Sequence, residues 1–270
     1  MKKTVLLLGI MLLGIHISLI AQSEEVTIKL VHTSDVHGSF FPYDFINDSP
    51  MKGSLSRVEA YMKEIRRNYP QSNVLLDGGD ILQGQPTVYY YNYIDTLEKH
   101  LCARIMNYMN YDVSTLGNHD IEAGHEVYDR WMVQLDFPVT AANIIDKDEQ
   151  SPYCLPYTII EKEGVRMAVL GMITPSIPAW LPEVLWSGLQ FEDMKRTAEK
   201  WVPYIQEKEK PDVLIGLFHT GVEPYILSGL YNENAAVQVA QEVPGFDIVF
   251  CGHDHSAYCE KLPTVSEGDS

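Results

Sequence analysis

Seven short runs rich in Val, Ile and Leu punctuate the chain: Thr27–Thr33, Asn73–Leu76, Asp112–Leu116, Val139–Ile144, Arg166–Met172, Val213–Phe218 and Asp247–Cys251. Most are nearly continuous in apolar residues, which predicts strands covered on both faces. Between them the period becomes helical. Val58, Tyr61, Met62 and Ile65 share one helical face, Ser56 with Glu59 reads as a capping box, and Pro70 closes the segment. Tyr89–Asn110 and Phe191–Lys208 read as two further helices. Tyr89, Tyr90 and Tyr91 are read as packing residues of the first of these. Strands alternating with helices predict an α/β fold with parallel or mixed sheet.

The polar residues just past each run matter more than the run itself. Thr27–Thr33 leads into Asp35 and His37, and Asn73–Leu76 into Asp80. Asp112–Leu116 leads into Asn118 and His119, Val213–Phe218 into His219, and Asp247–Cys251 into His253 and His255. Open α/β sheets bind ligands outside the carboxyl ends of their strands. Five polar clusters, each at the end of an apolar run, are therefore expected on one rim.

The first residues stand apart from this pattern. Lys2 and Lys3 precede an apolar run from Val5 to Ile20 and a polar exit at Gln22–Glu25. Residues 1–21 read as a signal peptide, with Ala21 as the small residue at the cleavage point. Leu19 departs from the second small residue such sites prefer. This pattern predicts export to the periplasm or the extracellular space, with no stable membrane span after cleavage. The 270 residues suffice for one large domain, and 46% of them are hydrophobic. Formal net charge is −17, which excludes attraction of a nucleic acid polymer by the global field. An anionic ligand would need local positive charge, and bound divalent cations supply it. Cys102, Cys154, Cys251 and Cys259 match no zinc framework, and a disulfide between Cys251 and Cys259 stays open.

Asp35, His37, Asp80, Asn118, His219, His253 and His255 form a nitrogen and oxygen donor set without thiolate. Such a set suits Mn, Fe, Zn or Co. Seven donors exceed one tetrahedral ion and suit two ions if a carboxylate bridges. A lone histidine beside an apolar run is usually a satisfied core residue. Five at strand ends are not read that way, whereas His32, His100 and His125 are read as structural or surface residues.

The ordered blocks D-V-H-G at Asp35, G-D at Gly79, G-N-H-D at Gly117, H-T-G at His219 and G-H-D-H at Gly252 resemble the calcineurin-like metallophosphoesterase superfamily. The resemblance runs from about Thr27 to His255. G-D-I-L-Q-G-Q-P at Gly79–Pro86 and E-N-A-A at Glu233–Ala236 are similar to its bacterial 5′-nucleotidase and 2′,3′-cyclic-nucleotide phosphodiesterase branch. Gln83 stands where purple acid phosphatases carry a tyrosine ligand.

The resemblance implies a four-layer αββα sandwich with mixed sheets, the catalytic domain occupying residues 26–262. It implies two divalent metal ions, one held by Asp35, His37 and His255, the other by Asn118, His219 and His253, with Asp80 bridging. It implies hydrolysis of a small-molecule phosphate ester, a nucleotide above all, with His119 assisting the leaving group and Glu122 orienting His119. Asp120 is the competing orienting residue. Members of this branch continue into a second, base-gripping domain, so residues 263–270 are expected to end short of one. The alternative reading is a metal- or nucleotide-binding module, inactive or partner-dependent without that domain.

Overall fold

The computed structural model describes residues 25–222 and 232–262. The signal-peptide reading of residues 1–21 and the tail reading of 263–270 fall outside the described residues. Strands β1 (Lys29–Thr33), β2 (Asn73–Asp77) and β3 (Val113–Ser114) form one sheet, and a short β4 (Ile144–Asp146) comes after them. Strands β5 (Tyr157–Lys162) and β6 (Val165–Ile173) form a hairpin, β7 (Leu189–Phe191) pairs back onto β4, and β8 (Val213–His219) and β9 (Ile248–Cys251) complete the set. The first sheet is parallel throughout, in the order β1-β2-β3. The second runs β9-β8-β6-β5 and is mixed, because β5 alone is antiparallel to its neighbour.

The period-2 alternation of strand side chains explains how four layers form. Val74, Leu76 and Val113 of the first sheet meet Met167, Val169, Ile215 and Leu217 of the second in one buried cluster. Their neighbours point outward. Leu75 joins helices α1 (Leu55–Asn68), α2 (Leu101–Tyr108) and, past a short α3 (Asn118–Glu122), α4 (His125–Met132). Ala168, Leu170, Met172, Leu214 and Phe218 join helices α5 (Met194–Lys208) and α6 (Ala236–Glu242). Three apolar layers thus separate helix, sheet, sheet and helix, which is the αββα sandwich.

Three aspartates fix the strand starts. Asp112, Asp212 and Asp247, each just before a strand, accept the backbone N–H of Leu75, Arg166 and Leu214 on the neighbouring strand at 2.8–2.9 Å. Register is thereby set at one end of the strands, and the opposite ends are left to carry the polar clusters.

Several sequence expectations change. Helix α1 starts at Leu55 with Ser54 as its N-cap, so Ser56 and Glu59 lie inside the helix and form no capping box. The expected helix Tyr89–Asn110 is broken: a turn at Pro86–Tyr89 passes into a π-helical turn at Tyr90–Ile94, and α2 begins only at Leu101. Buried Asn92 causes the break, donating to the Leu82 carbonyl and accepting from the His100 ring. Tyr89 and Tyr90 are exposed rather than packed. Phe191 ends β7, and Asp193 caps α5 by accepting from Arg196 N–H. Of Val139–Ile144 only Ile144 enters a strand, while Val139 and Thr140 make isolated bridges. All four cysteines are free thiols, so Cys251 and Cys259 are unpaired.

Candidate metal centre

The carboxyl ends of β1, β2, β8 and β9, with the start of α3, bring the seven predicted donors to one rim. Asp35, His37 and His255 each offer a ligand atom within 4.8 Å of the others, as do Asp35, Asp80 and His219. Asp35 is common to both groups, and Asp80 belongs to the second while also approaching His37. The Asp80 Oδ2 is 3.2 Å from His219 Nε2 and 3.9 Å from His37 Nε2. Asn118 Oδ1 is 3.1 Å from His219 Nε2 and 2.9 Å from His253 Nδ1. An open cavity of about 420 Å³ adjoins Asp35 and His255.

The backbone there is unusual. Asp35, His37, Asp80, His253 and His255 all have φ between +47° and +79°. This left-handed region costs a non-glycine residue about 1–2 kcal/mol. Five of the seven predicted donors bear that cost, and such strain persists only where surrounding structure enforces it. The loops also approach closely. A Cβ on Gly117 would stand 2.1 Å from Asp80 Oδ1, so no larger residue fits there without displacing the carboxylate. Gly79, at φ +91°, lies against the Gly117 backbone.

Ring orientation tests whether these residues fit a cation. His219 Nδ1–H donates to the Gly78 carbonyl at 2.6 Å, and His37 Nδ1–H to Gln83 Oε1 at 3.0 Å. The Nε2 lone pairs are therefore turned onto the rim. His37 Nε2 then faces His255 Nε2 at 3.2 Å, and His219 Nε2 faces the Asp80 and Asn118 oxygens. A cation placed among these nitrogens and oxygens would satisfy them together, and without one a ring N–H must bridge them. Burial alone would lower the His219 pKa, but the Asp80 carboxylate overrides it and holds the ring up to about 9. A proton there plays a cation's part. The donor set, its oriented tautomers and its buried carboxylate all fit divalent metal, with second partners of the kind metal-binding histidines use.

His253 shows the same arrangement. Its Nε2–H donates to Glu233 Oε1 at 3.3 Å, its ring stacks on Trp180 with centroids 5.5 Å apart, and its Nδ1 faces Asn118. Burial and the neighbouring His219 lower its pKa, which favours the neutral ring that binds metal. Gln83, Glu233 and Trp180 escaped sequence reasoning as site residues. Gln83 and Glu233 lay in blocks used only to choose a branch, and nothing in the spacing of Trp180 ties it to the rim.

His119 and Asp120 diverge although adjacent. His119 Nδ1 lies 2.5 Å from Glu122 Oε2, and its backbone N–H donates to Asp80 Oδ1 at 2.8 Å. The rings of His119 and His37 are 5.3 Å apart. Asp120 does not reach the His119 ring. It is fully buried and accepts the backbone N–H groups of Asp80, Ile81, Leu82 and Gly117 at 2.8–2.9 Å. Burial and the Asp80 charge push its pKa up, and those donors oppose the shift. Asp120 thus clamps the Asp80 loop to the start of α3. Asp120→Asn turns an NH₂ onto backbone donors and is expected to destabilise the protein by about 2–4 kcal/mol. Glu122→Gln, at the surface, should stay within about 0.5 kcal/mol. Urea unfolding of both variants checks this, and equal stabilities would remove the clamp.

The other histidines lie off the ligand set. His32 is half-buried and stacks on Phe250, and desolvation pulls its pKa down to about 4. His100 caps α2 by accepting from Cys102 N–H. His125 bonds Asp129 and the Ser187 carbonyl.

A mixed α/β sandwich with Asp/His groups at one strand-end rim defines a class of folds able to hold divalent metal. The family model for calcineurin-like phosphoesterases matches residues 28–257, and the chain belongs to that family. It is 32% identical over 251 residues to a Haemophilus influenzae 2′,3′-cyclic-nucleotide 2′-phosphodiesterase/3′-nucleotidase, covering 88% of this chain and 37% of that protein. It is 29% identical over 243 residues to a Vibrio cholerae 5′-nucleotidase, covering 88% of this chain and 42% of that one. The crystal structure of the calcineurin-like phosphoesterase YfkN from Bacillus subtilis superposes with a TM-score of 0.75 at 27% identity, over 87% of this chain and 74% of that one. The chain spans about two fifths of the length of these two curated relatives.

Proposed function

We propose that this chain hydrolyses phosphate esters of nucleotides with two divalent metal ions. The observation that carries the reading is the position of Asp80, whose buried carboxylate approaches both His37 and His219. Asp35, His37 and His255 would hold one ion, Asn118, His219 and His253 the other, and Asp80 both. When bound, such a pair polarises phosphoryl oxygens and lowers the pKa of water. These donors accept Mn, Zn, Fe or Co alike.

The chain's own groups do the rest. Glu122 takes the Nδ1–H of His119, which leaves Nε2 free to carry a proton to the departing oxygen. Glu122 also stabilises the imidazolium in which that proton is held. Gln83, Gly78 and Glu233 keep three donor rings in the tautomer that presents a lone pair. A module that only bound metal would have no use for the His119–Glu122 pair. The relatives' names, a cyclic-nucleotide phosphodiesterase/3′-nucleotidase and a 5′-nucleotidase, support nucleotides as the substrate class. The N-terminal charge and apolar pattern supports export. Among the described residues no helix is long and apolar enough to cross a membrane.

Elemental analysis of the purified chain, with Mn-supplemented turnover of AMP and 2′,3′-cyclic AMP, tests the reading. Two ions per chain and turnover of either ester are expected. A folded protein that binds no metal, or one that binds two ions and cleaves no ester, overturns it.

A further inference from the structure

Strand β6 reaches the rim without bringing a donor to it. Its last residue, Ile173, lies beside His219 in parallel register, and the Thr174 N–H donates to the His219 carbonyl at 2.8 Å. The stretch that follows, Thr174–Trp180, holds no histidine, carboxylate or amide side chain. It leaves the sheet through a single helical turn, Ile177–Trp180. Ile177 is fully buried, and its carbonyl accepts the Leu181 N–H at 3.0 Å. The Leu181 carbonyl in turn accepts Trp186 Nε1–H at 3.0 Å. Trp180 therefore sits at the end of a fastened segment, half-buried against the core that contains Ile177.

What this segment brings to the rim is a ring. Trp180 lies over His253 with centroids 5.5 Å apart and planes 22° from parallel. Among the described residues, His253 is the one donor ring on which it stacks. The ring edge of His253 is engaged by Glu233 at Nε2 and Asn118 at Nδ1, and the His219 ring lies 5.4 Å away at a steep angle. Bonds at two nitrogens tolerate a tilt of the imidazole, and a flat neighbour resists it. A metal ion at Nδ1 would draw electron density out of the imidazole, and the electron-rich face of an indole attracts an electron-poor ring. The stack is then stronger with the ion bound, and by reciprocity it raises affinity for that ion.

We infer that Trp180 is a positioning residue for one of the two ions. It holds the plane of His253 and strengthens the position shared by Asn118, His219 and His253, leaving that of Asp35, His37 and His255 as it is. This assignment rests on the two-metal reading.

Mn²⁺ titration of the full chain, read from the electron paramagnetic resonance of the free ion, tests it without turnover. Trp180→Leu keeps apolar bulk and removes the π face, and is expected to weaken one of the two ions about tenfold and leave the other unchanged. Trp180→Phe keeps a face and should stay within about threefold of wild type. Trp186→Leu perturbs the same segment without a ring on His253, and both ions should bind it as they bind the wild type. Saturating Mn²⁺ should restore the kcat of Trp180→Leu on AMP, which damage to the fold would not allow. If Trp180→Leu does not fold, fluorotryptophan incorporation decides, since it drains the indole face and keeps its shape. Weaker binding of one ion in that protein supports the assignment, and unchanged binding overturns it. So do wild-type affinities in Trp180→Leu, a Trp180→Phe variant as weak as Trp180→Leu, or equal weakening by Trp186→Leu. A wild type that binds no Mn²⁺ removes the two-metal reading and this assignment with it. One that binds two ions and cleaves no ester removes the hydrolytic reading alone, and the isotherms still decide the role of Trp180.

Discussion

Asp80→Asn is expected to strip the rim of one or both metal ions and to lower kcat/KM by about 10³-fold or more. The substitution keeps the size of the side chain and an oxygen able to accept the His119 backbone N–H, so the fold should survive. It removes the negative charge facing both His219 and His37. A metal pair contributes several kcal/mol of charge stabilisation, and each 1.36 kcal/mol is tenfold in rate. Metal content, turnover and thermal melting measured on one preparation separate the effects. A variant with two ions and full activity would show that Asp80 does not bridge.

His119→Asn should leave metal content intact and lower kcat on AMP by about 10²–10⁴-fold, the range for a positioned acid. Its ring nitrogen lies against Glu122 and carries no contact to the donor set beyond ring packing on His37. The loss should shrink on p-nitrophenyl phosphate, because a phenolate departs without help from a proton. Glu122→Gln should cost less, about 10–100-fold, as for groups that orient another residue. Equal losses on both esters would mean that His119 stabilises the phosphoryl group and does not protonate the leaving oxygen.

The rim was legible because its strands are short apolar runs and the polar residue after each run has nowhere to go but the sheet edge. The αββα layering was not readable from period alone. Leu75 and Leu76 look alike in sequence, and only packing sends one to the helices and the other between the sheets. Strand β5 was missed because it is half-buried on an edge and mixes Thr158, Glu161 and Lys162 with apolar residues. The turn Glu163-Gly164, both residues at positive φ, was the available signal for the hairpin. The break at Tyr90–Ile94 was hidden because Tyr, Ile and Leu keep a helix-like spacing, while its cause lies in the partners of Asn92, Leu82 and His100. Glu122 and Asp120 could not be separated as partners of His119 before α3 was seen to bring Glu122 to the His119 ring and to turn Asp120 onto four backbone amides.

The left-handed backbone at Asp35, His37, Asp80, His253 and His255 sets stability against function at the same positions. Glycine would relax each of them. A search for variants that resist heat would therefore collect substitutions along this rim, and each would erase a donor. Proteins sit just above the stability they need, so such gains are easily found by drift once activity is no longer selected. A descendant freed from its chemistry should lose these side chains early, well before its core begins to change.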